Sequence, residues 1–141
     1  AKEGRRFLIG TAYALPIPDN TIDAALSVNV WFHLEDLDTA SKELARVLSP
    51  DGHFLICTAN PNAYDEWQGM FDPDAKVDDR IIDGKVNIPI NPLSRNLFFK
   101  HSMQSMLDSF ANNNLVVDKT ETNSILNEKK PLFINFFGHK V

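Results

Sequence analysis

The sequence is poor in cysteine, in clustered basic residues and in long apolar runs. Its only cysteine, Cys57, has no partner for an internal disulfide, which favours a reducing compartment. No apolar run approaches the roughly 20 residues that a membrane-spanning helix needs, and the N-terminus shows no secretory pattern. The formal net charge is −5 and basic residues form no run, which disfavours a polyanionic partner. These absences predict a cytoplasmic protein that binds neither nucleic acid nor membrane.

The sequence also lacks the residue spacings of common metal and hydrolase sites. His53, His101 and His139 show no metal-ligand spacing, and we interpret them as structural or solvated. Ser27 has no histidine and aspartate at a recognisable motif spacing, so a hydrolase triad has little support. The paired carboxylates lie in predicted loops, where such charges are usually solvated. We therefore expect no metal site and no acid-base pair among these residues.

The apolar residues that are present predict alternating strands and a helix. Near-continuous apolar runs at 22–30 and 53–58 are typical of parallel strands, which are buried on both faces. Between them, apolar residues recur at helical spacing from residue 34 onward, and Asp36 or Asp38 can cap this helix. A strand, a helix and a strand with short connections predict an α/β fold with a parallel sheet.

The second half continues with one more helix and two strands. Ser102 can cap a helix that ends at the asparagines 112–114, because asparagine tolerates the left-handed conformation. The apolar segments 115–122 and 132–140 predict two final strands with a hairpin connection. We expect one α/β domain over residues 1–141.

Three segments stand outside this alternation. Residues 7–9 form a short apolar run closed by a glycine, which predicts a buried strand. Two prolines within 14–20 exclude a helix or a central strand, so this segment is predicted to be a loop. Residues 60–98 combine prolines, acidic residues and scattered aromatics, and we expect sparse regular structure and high mobility there. Such a segment is typical of a lid, a binding insert or a disordered region.

Three stretches of the first half carry a resemblance to a known family. Residues 15–23 read LPIPDNTID, residues 27–34 read SVNVWFHL and residues 43–52 read ELARVLSPDG. In order and spacing they resemble the LPFPDNSFD loop, the following strand end and the E-x-x-R-V-L-K-P-G-G motif of small-molecule class I S-adenosylmethionine-dependent methyltransferases. The resemblance covers residues 7–59. It implies a partial Rossmann-like methyltransferase fold, with a mostly parallel sheet and an antiparallel terminal strand.

The resemblance also implies a cofactor site. Gly10, Thr11 and Ala12 would face the adenine of S-adenosylmethionine, and the family usually has at position 11 an aspartate that accepts a hydrogen bond from the adenine amine. A threonine hydroxyl is a weaker, uncharged acceptor. Asn29 and His33 follow a strand end, where open α/β sheets bind ligands, and would flank the methionine part. The structural alternative for this pair is that they cap the turn and bond to backbone.

Two expected features of the family have no counterpart in the sequence. The glycines are isolated and form no Gly-rich cofactor loop, and the acidic residue that holds the ribose in the family also belongs upstream of residue 1. The resemblance therefore implies the C-terminal half of the fold, with weak or absent binding of S-adenosylmethionine by this chain alone. In the full-length form we expect methyl transfer to a small molecule. The alternative is a non-catalytic, truncated module that self-associates through an exposed sheet edge. Because this edge strand lacks its neighbour, we expect the chain to form a homodimer.

Aromatic residues in the 60–98 segment are candidates for substrate contact. Tyr64, Trp67 and Phe71 lie within otherwise polar sequence. They would either line a substrate pocket or attach the segment to the sheet, and the sequence leaves both interpretations open.

Overall fold

The computed structural model describes residues 4–71, 84–91, 94–124 and 129–141. Its helices and strands, in chain order, are β1 (Ile22–Val28), α1 (Leu37–Val47), β2 (Leu48–Ala59), α2 (Tyr64–Phe71), β3 (Gly84–Asn91), β4 (Ser94–Lys100), α3 (Met103–Ala111), β5 (Leu115–Asn123) and β6 (Phe133–Lys140). Single turns of 3-10 helix follow β1 at Trp31–His33 and precede α2 at Pro61–Ala63. The predicted strand, helix and strand between 22 and 59 are confirmed, as are the helix and two strands after Ser102.

The strands of the described chain form two sheets. The larger sheet has the strand order β1-β2-β6-β5, and β3 pairs separately with β4. β1 runs parallel to β2, whereas β6 runs antiparallel to both β2 and β5. The α/β class is therefore confirmed. The described part of the main sheet is mixed, with one parallel pairing and two antiparallel ones, because β6 inserts between β2 and β5.

Side-chain caps start both longer helices at the predicted residues. The Asp36 carboxylate accepts a hydrogen bond from the Thr39 amide at 2.9 Å, and this bonding to Thr39 lowers the pKa of Asp36. The Ser102 hydroxyl accepts one from the Ser105 amide at 3.0 Å. After α3, the left-handed conformation falls on Asn114, with a φ of 59°. No helix of the described segments is long and apolar enough to cross a bilayer.

The helices α1 and α3 pack against one face of the main sheet, which we call the covered face. It carries Phe54, Ile56 and Phe136, all buried. Phe110 of α3 lies over them, with its ring centroid 5.4 Å from that of Phe136 and 5.7 Å from that of Phe54. The main hydrophobic core of the molecule is therefore between this face and the two helices.

The opposite face, which we call the open face, exposes apolar side chains. It carries Leu26, Val28, Leu55, Cys57 and Phe137, which share a face because Leu26 is opposite Leu55, Leu55 opposite Phe137 and Val28 opposite Cys57. Leu26 is 69% exposed and Val28 is 51% exposed. The prediction that β1 is buried on both faces is therefore wrong for the described chain, where β1 pairs only with β2 and forms an edge of the sheet.

Two further predictions about local structure are wrong. Residues 7–9 are not a buried strand: Phe7 is 91% exposed and Ile9 is 101% exposed, because no strand of the described chain pairs with them. The 60–98 segment contains more regular structure than predicted, namely α2, β3 and most of β4. Pro89 lies inside β3, where a two-stranded ladder has only edge strands and tolerates a missing amide. Residues 72–83 and 92–93 lie outside the described residues.

Residues 49–52 form an irregularity within β2. The register between β1 and β2 shifts between Ile22, opposite Leu48, and Ala24, opposite His53. Asp51, where the resembling motif has a glycine, has a φ of 61°. A Cβ at Gly52 would lie 2.8 Å from the Ser49 carbonyl oxygen, so a side chain there requires the turn to move. The Pro-Asp-Gly sequence is explained by this tight backbone.

Candidate functional site

A cavity of about 320 Å³ lies along the outer edge of β1. One wall is the backbone of Gly10, Thr11 and Ala12, and the strand itself contributes Leu26 and Ser27. Side chains of α1 and β2 complete a mainly apolar lining. The size is within the range of small-ligand pockets.

The structure brings together three of the five residues predicted to hold the cofactor. Gly10, Thr11 and Ala12 line the cavity, whereas Asn29 and His33 are exposed and do not. Asn29 has a φ of 57° and donates its amide hydrogen to the Cys57 carbonyl at 2.9 Å. His33 donates its amide hydrogen to the Val30 carbonyl at 2.8 Å. These bonds involve only the main chain of the pair, so the cofactor role of Asn29 and His33 and the structural alternative both stay predictions.

Sequence reasoning missed the cavity residues that follow β1. Val30, Trp31 and Leu34 line the cavity next to the carboxyl end of the strand. Trp31 is 4% exposed, and its ring packs at 5.2 Å from that of Phe110 in an edge-to-face arrangement. Their separations of three and four residues are a helical signal that the sequence contains. Polarity directed the prediction to Asn29, which precedes Val30, and to His33, which precedes Leu34.

Thr11 lines the cavity and also forms hydrogen bonds within its own loop. Its hydroxyl oxygen accepts a hydrogen bond from the Tyr13 amide at 3.2 Å. The backbones of Thr11 and Ala14 exchange two hydrogen bonds, of 3.4 and 3.1 Å. A hydroxyl that accepts one bond keeps a proton to donate and a second lone pair. Thr11 therefore retains capacity to bond a ligand in the cavity.

The loop that carries this wall, residues 10–21, is attached to the start of α1 through Tyr13. The Tyr13 hydroxyl oxygen accepts hydrogen bonds from the amide of Glu35 at 2.9 Å and from that of Asp36 at 3.3 Å. These amides immediately precede the first turn of α1. Tyr13 therefore fixes the loop one residue beyond the cavity wall.

A second attachment of the 10–21 loop is made by the Glu-x-x-Arg motif of α1. Arg46 donates to the carbonyl oxygens of Leu15 at 3.0 Å and Ile17 at 2.9 Å, and to the Asp19 carboxylate at 2.5 Å. Glu43 accepts from the Leu15 amide at 2.6 Å and from Arg46 at 2.7 Å. The hydrogen bond from Arg46 lowers the pKa of Glu43, and the carboxylates of Glu43 and Asp19 raise the pKa of Arg46. Both groups therefore stay charged across the neutral range.

Two of the three aromatic substrate candidates, Tyr64 and Trp67, contact residues away from this cavity. Trp67 is buried and donates its indole hydrogen to the Leu132 carbonyl at 2.7 Å, with its ring 5.1 Å from that of Phe133. The Tyr64 hydroxyl accepts a hydrogen bond from the His101 amide at 3.3 Å. Neither Tyr64 nor Trp67 lines the cavity, and the side chain of Phe71 lies outside the described residues. Their contacts attach α2 to the end of the sheet, and a substrate role stays a prediction.

The remaining titratable groups show structural placements. The His101 ring is buried, with Nε2 at 2.6 Å from the Leu34 carbonyl oxygen, which agrees with its predicted structural role. Burial raises the pKa of the Cys57 thiol. Across the residues that the structure describes, no group of three or more His, Cys, Asp or Glu side chains is arranged to hold a metal ion.

Comparison with known proteins relates the first part of the chain to methyltransferases. Residues 1–56 match the methyltransferase domain family. A fatty-acid O-methyltransferase from Mycolicibacterium smegmatis is 42% identical over 67 residues, which cover 46% of this chain and 24% of that protein. A malonyl-[acyl-carrier protein] O-methyltransferase from Halorhodospira halophila is 33% identical over 66 residues, which cover 47% of this chain and 22% of that protein. The matched segments thus span about a quarter of these relatives.

The structural likeness extends over nearly the whole chain. A putative S-adenosylmethionine-dependent methyltransferase from Listeria monocytogenes superposes with a TM-score of 0.76 at 12% sequence identity. The superposition covers 94% of this chain and 67% of that one. At this identity the likeness establishes the fold, and its coverage extends well beyond the family match at residues 1–56. The resemblance inferred from the motifs is confirmed.

Proposed function

Since the chain is related to the class I S-adenosylmethionine-dependent methyltransferases and shares their fold, we propose that it forms the adenine-facing part of a cofactor site. In the full-length form, this site serves methyl transfer to a small molecule. The observation that carries the proposal is the cavity, in which Gly10, Thr11 and Ala12 meet the carboxyl end of β1. Open α/β sheets bind their ligands at this end of the strands.

The cavity residues fit a flat, partly apolar group such as adenine. Leu26, Val30 and Trp31 supply apolar contacts, while the backbone of Gly10 to Ala12 and the Thr11 hydroxyl supply hydrogen-bonding groups. The chain has no Gly-rich loop for the rest of the cofactor. We propose that residues outside this chain supply that loop and the acidic residue for the ribose, so that the isolated chain binds the cofactor weakly or not at all.

The contribution of the chain to the reaction is positioning. When bound, S-adenosylmethionine would supply an electrophilic methyl group, whose bond to the sulfonium sulfur would break on attack by the acceptor and leave S-adenosylhomocysteine. The cavity wall fixes the adenine end of that molecule, and α2 lies beside the turn after β1, with the ring of Trp67 6.2 Å from that of Phe32. We propose that Tyr64, Trp67 and Phe71 belong to the acceptor side of the site. Holding two reactants in the attack geometry supplies much of the catalysis in such a reaction. No residue of the chain is assigned as a base.

The names of two relatives support a small-molecule or carrier-bound acceptor. One acts on a fatty acid and the other on a malonyl group attached to acyl-carrier protein. We propose a small organic molecule as the acceptor for this chain as well. The single cysteine of the sequence supports the cytoplasmic location that we propose with it.

Thr11 provides the test of the cofactor site. We expect Thr11→Asp to strengthen binding of S-adenosylhomocysteine about tenfold, because a carboxylate accepts a hydrogen bond from the adenine amine more strongly than a hydroxyl does. Thr11→Val, which keeps the shape, is expected to weaken binding. Calorimetry is done on the 141-residue chain and on a longer protein that includes a Gly-rich loop. Affinities that are the same for all three residues at position 11 in the longer protein contradict the proposed site.

The isolated chain gives a separate test of the missing half. We expect no calorimetric signal, or a dissociation constant well above the low micromolar range, when S-adenosylmethionine is titrated into it. A low micromolar constant contradicts the proposal that the rest of the cofactor site lies outside this chain.

The second candidate function is that of a non-catalytic module that self-associates as a homodimer. The observation that favours it is the unpaired edge of β1 together with the exposed Leu26 and Val28. Free amides and carbonyls on an edge strand can pair with another chain, and two identical chains most often assemble around a two-fold axis. Pairing would also remove apolar surface from water.

Sedimentation of matched lysine variants tests this candidate. Val28→Lys, on β1, is expected to convert a dimer into a monomer at micromolar concentration. Val116→Lys is the control, because Val116 is 40% exposed and lies on β5, the opposite edge of the sheet. A parent chain that sediments as a monomer, or two variants with equal effects, contradicts the dimer through β1.

A further inference from the structure

The cavity wall is held in place by side chains that do not themselves line the cavity. The 10–21 loop has no helix and no strand beyond the Thr11 to Ala14 bridge. Backbone without regular structure takes its position from whatever side chains bind it. The side chains that join this loop to α1 include Tyr13, which binds amides just before the helix, and the pair Glu43 and Arg46 further along it.

The pair binds the loop backbone on both sides of a single residue, Leu15. Glu43 accepts the Leu15 amide at 2.6 Å, and Arg46 donates to the Leu15 carbonyl at 3.0 Å. Arg46 also binds the Ile17 carbonyl at 2.9 Å. Leu15 lines the cavity, three residues after Ala12. The pair thus acts on a residue of the cavity wall directly and on the adenine-facing residues through a short connection.

The electrostatics make this attachment stronger than an exposed ion pair. The Glu43 side chain is 13% exposed and the Arg46 side chain is 31% exposed. Charged donors and acceptors form hydrogen bonds about twice as strong as those of neutral groups, and the planar guanidinium has enough donors to bind two carbonyls and two carboxylates together. A lysine has a compact ammonium group and does not reproduce this geometry.

We propose that Glu43 and Arg46 are positioning residues for the cofactor site, which fix the Gly10 to Ala12 wall at its distance from β1. This inference depends on the proposed function for the identity of the ligand. The Glu-x-x-Arg motif then controls affinity for the adenine end of the cofactor, although it is remote in sequence from the adenine-facing residues. The attachments at the end of the loop, from the Asn20 amide to the Arg46 carbonyl at 2.9 Å and from the Thr21 amide to the Val47 carbonyl at 3.0 Å, are main-chain bonds and survive side-chain substitution.

Hydrogen exchange on the unliganded chain is the first measurement. In Arg46→Met we expect the amides of Ala14, Leu15 and Ile17 to exchange at least about tenfold faster, with the amides of β2 unchanged. Arg46→Lys is expected to recover only part of the protection. Lys42→Met is the matched control, because Lys42 is an exposed cation one turn earlier on α1. Unchanged exchange of the 14–17 amides in a folded Arg46→Met chain overturns the proposal.

Binding of S-adenosylhomocysteine to the longer protein is the second measurement. We expect about tenfold weaker binding for Arg46→Met, an intermediate value for Arg46→Lys and no change for Lys42→Met. Faster exchange with unchanged affinity, in a protein that binds the ligand, limits the pair to a structural role and overturns the proposal. If Arg46→Met does not fold, Glu43→Gln removes one charge at nearly constant shape and is judged by the same two criteria.

The two measurements separate this inference from the proposed function. If the parent protein with its Gly-rich loop binds no adenosyl ligand, the proposed function fails and the assignment of a cofactor-positioning role fails with it. In that case, faster exchange in Arg46→Met still shows that the pair holds the cavity wall. If the parent binds the ligand and the variants do not differ, the proposed function stands and the positioning role alone is wrong.

Discussion

The two faces of the main sheet differ in what covers them, although both are apolar. On the covered face, Phe136 is 0% exposed and Ile56 is 1% exposed under α1 and α3. On the open face, Leu26 and Val28 are more than half exposed at the β1 edge. The same strands thus pack against helices on one side and leave apolar side chains exposed to solvent on the other. The comparison shows that apolar strand residues indicate where a layer is needed, not that the layer is present.

Substitution of two adjacent phenylalanines on β6 is expected to show this difference between the faces with the largest change in the free energy of unfolding. We expect Phe136→Ala to lower the free energy of unfolding by about 3–5 kcal/mol, because it removes a ring enclosed by Phe54, Phe110 and neighbouring side chains. Phe137→Ala, on the open face, is expected to lower it by about 1–2 kcal/mol, since this ring is only half-buried. Urea unfolding measures both. Equal losses would show that the open face is as well packed as the covered one.

In the part of the chain that the structure describes, the covered face also buries an unpaired hydroxyl group. Its removal is expected to raise the free energy of unfolding by a smaller amount. Thr58 is 0% exposed, lies on the same face as Phe54 and Ile56, and its hydroxyl has no hydrogen-bond partner among the described residues. We expect Thr58→Val to raise the free energy of unfolding by about 1 kcal/mol, because the folded state no longer buries an unpaired hydroxyl. The control is Thr120→Val, at an exposed position of β5. A loss of stability in Thr58→Val would indicate that the hydroxyl has a partner after all.

Leucines on the two edge strands compare exposed with buried apolar positions directly. Leu26→Thr is expected to change the free energy of unfolding by no more than about 0.5 kcal/mol, because Leu26 is 69% exposed. The same change at Leu115 of β5, which is 2% exposed, is expected to destabilise by about 2–3 kcal/mol. If Leu26→Thr matches the loss at Leu115, another chain or segment covers β1 in solution.

The titration of the Cys57 thiol measures how far the open face is buried. Its expected effect on stability is the smallest of those considered. Burial raises the pKa of the thiol, so the neutral form is favoured in the folded state. The stability that this contributes is complete below the pKa of the unfolded thiol and is lost as the pH rises through the higher folded value. Reaction with a disulfide reagent should therefore be slower in the folded chain than in urea at mildly alkaline pH.

Two comparisons control the Cys57 measurement. Cys57→Ser should remove the part of the alkaline loss of stability that belongs to the thiol. A reaction rate that falls as the protein concentration rises would indicate that a second copy covers the open face. Equal rates for the folded and urea-unfolded chains at every pH would contradict the burial of the thiol.

Sequence patterns predicted the elements that depend on neighbours along the chain. The helix caps at Asp36 and Ser102 and the strand cores of β1 and β2 follow from side-chain chemistry and apolar periodicity within a few residues. The motif resemblance pointed to Gly10, Thr11 and Ala12 as candidate site residues, and all three line the cavity. Apolar content alone misassigned residues 7–9, because a strand also needs a partner.

The sequence by itself determined the resemblance to methyltransferases, the order of the elements and one wall of the candidate site, because these depend on local patterns and on motifs with fixed spacing. The tertiary structure decided which residues complete that site. It placed Trp31 and Leu34 in the cavity and left Asn29 and His33 outside it, and it connected Arg46 to Leu15 across 31 positions of sequence. The physical reason is that these contacts form between the helix α1 and the 10–21 loop, and their geometry exists only after the helix has packed on the sheet.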